Sequence, residues 1–295
     1  MTTHVGILGW PVEHSRSPAM HNAAFEAAGL DWRYELLPVE PERFEQVVRG
    51  LPGRGFAGAN VTIPHKLRAL ELADEATEVA RAVGAANTLA FRDGRIEAEN
   101  TDVEGVLAAI AEQAPGAPAG MSALVFGAGG AARAAAFALA SAGAASVAVW
   151  NRNPRRAEAL VAELNPRLER AVLEPVSSPE PRRADLLLNA TSVGMAPGPG
   201  NGAANGDSAE QNFKELCLSA DELEDRQIVV DLVYRTGGTW LVRTAREAGL
   251  RCVDGIDVLV HQGIASFRLW TGREPSLEAM RFGAGDGTQN PGNRN

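Results

Sequence analysis

Apolar residues recur along the chain with the spacing of strands and helices in alternation, arranged in two series. Val5 to Gly9 is a short apolar run ending in Gly-Trp-Pro, the pattern of a buried strand that enters a loop. Ser17-Pro18 reads as a helix start, since serine caps well and proline suits the first helical position, and the helix extends to Gly29. Trp32 to Leu37 alternates and predicts a second strand; Glu40 to Arg49 predicts a helix and Phe56 to Thr62 a third strand. One further helix is expected from Lys66 to about Val83. Asn87 to Phe91 and Arg95 to Glu99 flank Asp93-Gly94, a strong short-range hairpin signal. A helix from Val103 to Gln113 leads into Ala114 to Gly120, whose Pro/Gly/Ala composition marks a linker.

The second series opens with strand Ala123 to Phe126, then Gly127-Ala128-Gly129-Gly130-Ala131-Ala132 and an alanine-rich helix to Ala142. Strand Ser146 to Trp150, helix Pro154 to Leu164, and strands Asp185 to Asn189 and Ile228 to Leu232 follow. Strands alternating with helices imply a parallel, doubly wound sheet, so the fold class is α/β in two domains. Residues 197–225 open as PGPGNGAANGDSAEQN, too polar and glycine-rich to pack, and predict a mobile surface insertion. The residues from about Gly283 have similar composition and predict a disordered tail over 283–295.

Composition narrows the function. The 295 residues carry a formal charge of −9, which removes the basic footprint that nucleic acid requires. A hydrophobic fraction of 45% is that of an ordinary globular protein. The two cysteines, Cys217 and Cys252, have neither metal nor disulfide-framework spacing, which favours a reducing compartment. The N-terminus lacks the basic and apolar regions of a signal peptide, and no run has the length of a membrane span. A cytoplasmic protein without a membrane partner is expected, with a homodimer left open. The five histidines lack metal-ligand spacing, and no metal is expected.

The glycine cluster at 127–132 follows a hydrophobic strand and opens a helix, the context in which such a cluster binds a dinucleotide. Gly127 permits the tight turn, Gly129 lets backbone approach a pyrophosphate, and Ala132 keeps helix and strand close. Amides at the helix start then face the phosphates. An NAD-binding chain would place an acid at the end of the next strand to hold the ribose hydroxyl. Here the sequence is Asn151-Arg152-Asn153-Pro154-Arg155-Arg156. Arg152 suits a 2′-phosphate, which a guanidinium grips in a fork, and Arg156 can assist from the first helical turn, so NADP(H) is the expected cofactor.

A second polar set lies in the first series. Asn60 and Thr62 share a strand face, Pro64 stops that strand, and Lys66 then stands at a helix start. Asn87-Thr88 and Asn100-Thr101-Asp102 join the same strand-end region. Asp102 also reads as a helix N-cap, a role compatible with chemistry. Lys66 and Asp102 together make a proton-transfer pair in which the acid orients the amine and holds its charge. Ser15 and Ser17, taken alone, read as a loop serine and a helix cap.

In chain order, the blocks HSRSPAMHNAAF (14–25), NVTIPHK (60–66), AANT (85–88), NTD (100–102), GAGGAAR (127–133), NRNPRR (151–156), NATSVGM (189–195) and DGIDVLVHQGIASFRLWTG (254–272) resemble the shikimate dehydrogenase family. The resemblance runs to about residue 282. It implies reduction of 3-dehydroshikimate to shikimate with NADPH, in aromatic amino-acid biosynthesis. It implies that Lys66 and Asp102 are catalytic and that Ser15, Ser17, Thr62, Asn87, Asp102, Tyr234 and Gln262 bind the small-molecule substrate. For the cofactor it implies Gly127, Ala128, Gly129, Gly130, Ala131, Asn151, Arg152, Arg156, Thr191, Leu232 and Gly255. It further implies a substrate domain over 1–102, rejoined by C-terminal helices at 255–282, and an NADP-binding Rossmann domain over 103–254. Relatives that prefer quinate and NAD often carry threonine at the position of Ser17, and Arg152 also argues against NAD. A non-catalytic NADP-binding regulator would have no need of Lys66 and Asp102. Two departures stand out: the long 197–225 insertion, and Gly263 where alanine is usual, which is expected to loosen its helix slightly.

Overall fold

Two six-stranded sheets organise the computed structural model, which describes residues 2–195, 209–235 and 237–285. The chain divides into two compact units, one within 1–105 and 259–295, the other within 106–258.

The first unit carries β1 (Thr3–Gly9), α1 (Ser17–Ala27), β2 (Trp32–Pro38), α2 (Phe44–Gly50), β3 (Phe56–Val61), α3 (Lys66–Leu72), β4 (Glu75–Ala76), α4 (Glu78–Val83), β5 (Thr88–Arg92) and β6 (Arg95–Glu99), and the start of α5 (Thr101–Gln113). Its sheet runs β2-β1-β3-β5-β6-β4 and is mixed: β1 pairs in parallel with β2 and β3, while β3–β5 and β5–β6 are antiparallel. The turn between β5 and β6 has positive φ at both Asp93 (51°) and Gly94 (76°), as a tight two-residue hairpin demands. The helix expected from Lys66 to Val83 is two helices separated by an edge strand. Asp74 accepts the Ile96 amide at 2.8 Å, β4 pairs with β6, and Thr77 caps α4 by accepting from the Ala80 amide. Local bonds to the sheet edge win over helical periodicity there.

The second unit carries β7 (Ser122–Phe126), α6 (Gly130–Ser141), β8 (Ser146–Trp150), α7 (Pro154–Leu164), β9 (Leu173–Val176), β10 (Leu186–Asn189), α8 (Ala209–Glu215), β11 (Ile228–Asp231), α9 (Trp240–Glu247) and β12 (Arg251–Val253). Its order, β12-β11-β10-β7-β8-β9, is wholly parallel and reverses direction between β7 and β10. Ligands of doubly wound sheets bind outside the carboxyl ends of the strands at such a reversal.

Two expectations about disorder need correction. Residues 196–208 lie outside the described residues, but the rest of the expected insertion packs. Phe213 on α8 meets Trp240 edge-on at 4.1 Å, and Leu216 and Leu218 join the core around Phe126, Leu187 and Val229. The sequence NFKELCL supplies apolar anchors just past the low-complexity run. Likewise Gly283 belongs to α11 (Leu277–Ala284), which follows α10 (Gly255–Thr271); only residues 286–295 of the expected tail lie outside the described residues. Both α5 and α10 begin in one unit and end in the other.

Candidate active site

In the first unit, β1 and β3 lie side by side in parallel, so the loops leaving them emerge at one edge of the sheet. Thr62 donates its amide to Leu8, and Trp10 donates to Ile63. Asn87 is brought to the same edge because Val61 donates to its carbonyl at 2.7 Å, and Ala86 donates to the Lys66 carbonyl at 2.8 Å. Lys66 opens α3 as expected, and Asp102 lies in the first turn of α5, one residue inside the helix instead of at its cap. Their side chains meet: Lys66 Nζ donates to Asp102 Oδ2 at 2.5 Å, with both side chains mostly shielded. Asn87 Nδ2 donates to Asp102 Oδ1 at 2.8 Å. Each carboxylate oxygen therefore has its own donor, which fixes the acid's orientation and leaves the remaining ammonium protons for another acceptor.

Gln262 reaches this group from α10, its Oε1 lying 3.4 Å from Asn87 Nδ2 and 3.5 Å from Thr101 Oγ1. Ser15 and Ser17 are joined hydroxyl to hydroxyl at 3.2 Å, with Ser17 buried. Thr62 is half-buried at the end of β3. Tyr234 differs from the other expected substrate contacts in belonging to the second unit.

Behind the pair the polar set closes into a buried knot, to which Tyr34 and Ser266 are additions that sequence reasoning missed. Asn60 Nδ2 donates to Thr88 Oγ1 and Ser266 Oγ at 2.9 Å each, and Asn60 Oδ1 accepts from Tyr34 Oη at 2.7 Å. Thr88, Thr101 and Ser266 are mutually bonded through their hydroxyls at 3.0–3.1 Å. Thr101 also donates its amide to Asn87 Oδ1 at 2.7 Å, which ties the knot to the residue that holds Asp102. Asn60 is thus structural, although it shares a strand face with Thr62. A usable signal existed: Gln262 and Ser266 are four apart and so share one helix face in an otherwise apolar stretch. His65 is also structural, buried against Phe44 with Nε2 2.8 Å from the Val39 carbonyl.

In the second unit, strand register aligns the expected cofactor residues. Phe126 pairs with Trp150 and with Asn189, and Asn189 pairs with Asp231, so Gly127, Asn151, Thr191 and Leu232 all leave the sheet at the same edge. Gly127 has φ of 114°, and a Cβ there would lie 3.0 Å from the Ala190 carbonyl oxygen, so only glycine suits the turn. A Cβ on Gly129 would meet nothing, so the space beside it is open. No side chain caps α6, whose first turn contains Gly130 and Ala131 after Ala128 and Gly129. Uncapped amides over an open space fit a phosphate. Gly255 sits against the Val233–Tyr234 backbone, where a Cβ would come within 2.5 Å.

Beyond β8 lies a cavity of about 320 Å³ lined in part by Trp150, Asn151, Arg152, Ser177 and Ser178. Arg152 is exposed, and among the described residues no hydrogen bond or ion pair engages its guanidinium. Asn153 caps α7 by accepting from the Arg155 amide at 3.2 Å. Arg156 stands in the first turn of α7 but does not line the cavity. The residues present fit a dinucleotide with an anionic group on its ribose.

Burial dominates one acid near this edge. Asp231 is fully buried, which pushes its carboxyl up to about 7; donated bonds from Thr239, the Val233 amide and Asn189 oppose that shift, and nearby Asp254 adds to it. Asn189 also accepts from Thr191, so this acid anchors the 189–191 turn. Among the described residues no group of three or more His, Cys, Asp or Glu can hold a metal, and no helix is long and apolar enough to cross a membrane.

Residues 7–89 match the shikimate dehydrogenase substrate binding domain, 109–194 the shikimate/quinate 5-dehydrogenase model, and 255–281 the shikimate 5′-dehydrogenase C-terminal domain. Shikimate dehydrogenase (NADP(+)) of Methanopyrus kandleri is 45% identical over 285 residues, covering 95% of this chain and 94% of that protein. A shikimate dehydrogenase crystallised in complex with NADP+ superposes with a TM-score of 0.86 at 34% identity, covering 98% of this chain and 96% of the other. The Thermus thermophilus shikimate 5-dehydrogenase in complex with NADP(H) and shikimate gives 0.80 at 39% identity, over 96% and 98% of the two chains.

Proposed function

The chain belongs to the shikimate dehydrogenase family, and on that premise we propose that it reduces 3-dehydroshikimate to shikimate with NADPH in aromatic amino-acid biosynthesis. The observation that carries the reading is the Lys66–Asp102 contact at 2.5 Å, with Asn87 on the second carboxylate oxygen. When bound, the nicotinamide cofactor supplies the hydride. As the ring carbonyl carbon is reduced, negative charge grows on its oxygen, and Lys66 Nζ is the donor that bonds this oxygen and gives it a proton. Asp102 holds Lys66 in place and accepts from the substrate hydroxyl. The Ser15 and Ser17 hydroxyls, already paired, meet the substrate carboxylate, with Thr62, Asn87 and Gln262 on the ring hydroxyls and Tyr234 completing the substrate set.

In the same reading, residues 1–102 with 255–282 form the substrate domain and 103–254 the NADP-binding domain. Gly127 to Ala131 take the pyrophosphate, Asn151, Arg152 and Arg156 the 2′-phosphate side, and Thr191, Leu232 and Gly255 the nicotinamide side. The protein works in the cytoplasm on a small molecule. The decisive assay follows NADPH oxidation with 3-dehydroshikimate, beside quinate oxidation with NAD+. Turnover with the first pair well above the second is expected; a preference for quinate and NAD+ overturns the reading.

A further inference from the structure

The cavity beyond β8 has a wall that does not come from the dinucleotide-binding strands. Lys214 and Glu215, at the end of α8, and Cys217 just after it line the same space as Arg152, Ser177 and Ser178. Phe213 and Leu216 are buried in the core on either side of this pair, so packing anchors the backbone of α8 from which Lys214 extends. Among the described residues no hydrogen bond or ion pair engages the Lys214 side chain, and Arg156, the other cation expected at the 2′-phosphate, is absent from the wall.

We propose that Lys214, on helix α8, is a further cation beside Arg152 for the cofactor's 2′-phosphate and a determinant of NADP over NAD. Lys214 has this role only with NADP(H) as the cofactor, as proposed above. The cavity opens where β8 ends, the place a dinucleotide fold gives to the adenosine ribose. A ribose phosphate is a dianion with three acceptor oxygens. Arg152 offers a fork, Lys214 a point charge, and Ser177 and Ser178 offer hydroxyl donors. Glu215 opposes them, leaving the wall with one net positive charge. That margin is small, so losing Lys214 removes it entirely, and neutralising Glu215 enlarges it. An unphosphorylated ribose, lacking the charge, is nearly indifferent to both changes.

Calorimetric dissociation constants for NADP+ and NAD+ test this on the full chain, comparing wild type with Lys214→Ala, Glu215→Gln and Arg152→Ala. Lys214→Ala is expected to weaken NADP+ roughly tenfold, the scale of one charge-assisted bond, while NAD+ stays within about twofold. Glu215→Gln is expected to tighten NADP+ alone. Cys217 is exposed on the same wall, so NADP+ should slow its alkylation more than NAD+ does, and Lys214→Ala should erase that difference. If Arg152→Ala discriminates between the cofactors and Lys214→Ala does not, the proposal is overturned and the NADP reading survives. If neither variant discriminates, both fall.

Discussion

Lys66 and Asp102 approach to 2.5 Å from positions 36 apart in sequence, and that contact sets the residue-scale expectation. If Lys66 donates the proton, Lys66→Ala lowers kcat by roughly 10²–10⁴-fold, while KM for shikimate moves much less. Asp102→Asn keeps the shape and also lowers kcat. Because the two act as a unit, the double variant should fall far short of the product of the single effects. Steady-state kinetics of the four proteins with saturating NADP+ checks this; near-normal kcat in Lys66→Ala would falsify the assignment. Much of this site was legible in the sequence. Pro64 marks the strand end, Lys66 opens the next helix, and Asn87 and Asp102 stand at strand and helix boundaries. The supporting layer was legible only in part. Thr88 and Thr101 belong to the polar set that the sequence marks, but Ser266 does not, and only the fold brings the three hydroxyls within 3.0–3.1 Å of one another.

Helix contacts in the first unit depend on small residues that look unremarkable along the chain. A Cβ at Gly283 would lie 2.5 Å from the Ala19 carbonyl oxygen and 2.7 Å from the Met20 Cα, so α11 approaches the backbone of α1 directly. Gly283→Ala should gain about 0.5–1 kcal/mol of helix propensity but lose more to the clash, since backbone cannot step aside. A net destabilisation of roughly 1–3 kcal/mol is expected. Gly50→Ala, where a Cβ meets nothing, is the control and should not destabilise. Thermal melts of both variants decide; a Gly283→Ala protein as stable as wild type would show that α1 and α11 are not tightly packed. Gly263 differs, since a Cβ there would lie 2.3 Å from Met20 Cε, the flexible end of a side chain instead of backbone. The elements with clear periodicity and punctuation were legible: the first strand, the Asp93-Gly94 hairpin and the strand before Gly127. β9, α9 and β12 were missed. β12 has only three residues and β9 contains Pro175, both too short or irregular to carry a period. α8 was hidden because the run preceding it dominates the local composition.

At the scale of the whole molecule, the two units hold buried titrating groups of opposite sense. His21 lies fully buried in the first unit, stacked on Tyr34 at 4.5 Å, with neither ring nitrogen bonded among the described residues. Burial lowers it from 6.5 to about 3. Folding thus expels a proton from His21, and its contribution, complete above about pH 6.5, is lost as pH falls towards 3. Asp231 lies in the second unit, and burial raises it from 3.8 to about 7. Folding takes up a proton there, so its contribution is complete below about pH 4 and is lost as pH rises towards 7. Between about pH 4 and 6.5 the two slopes oppose each other, and wild-type stability conceals both. Asp231→Asn mimics the neutral carboxyl, accepting at Oδ1 and donating towards Thr239, so it should remove the fall with rising pH. Relative to wild type, this variant should gain stability steadily from pH 4 to 7. His21→Phe keeps the stacked ring without a titrating group, and relative to wild type it should gain as pH falls from 6.5. Denaturant unfolding of the three proteins across that range measures each difference directly, with every other titrating group common to all. Each difference should approach a slope of one proton. A pH-independent gap between Asp231→Asn and wild type would mean that the carboxyl stays ionised, held by its three donors against the cost of burial.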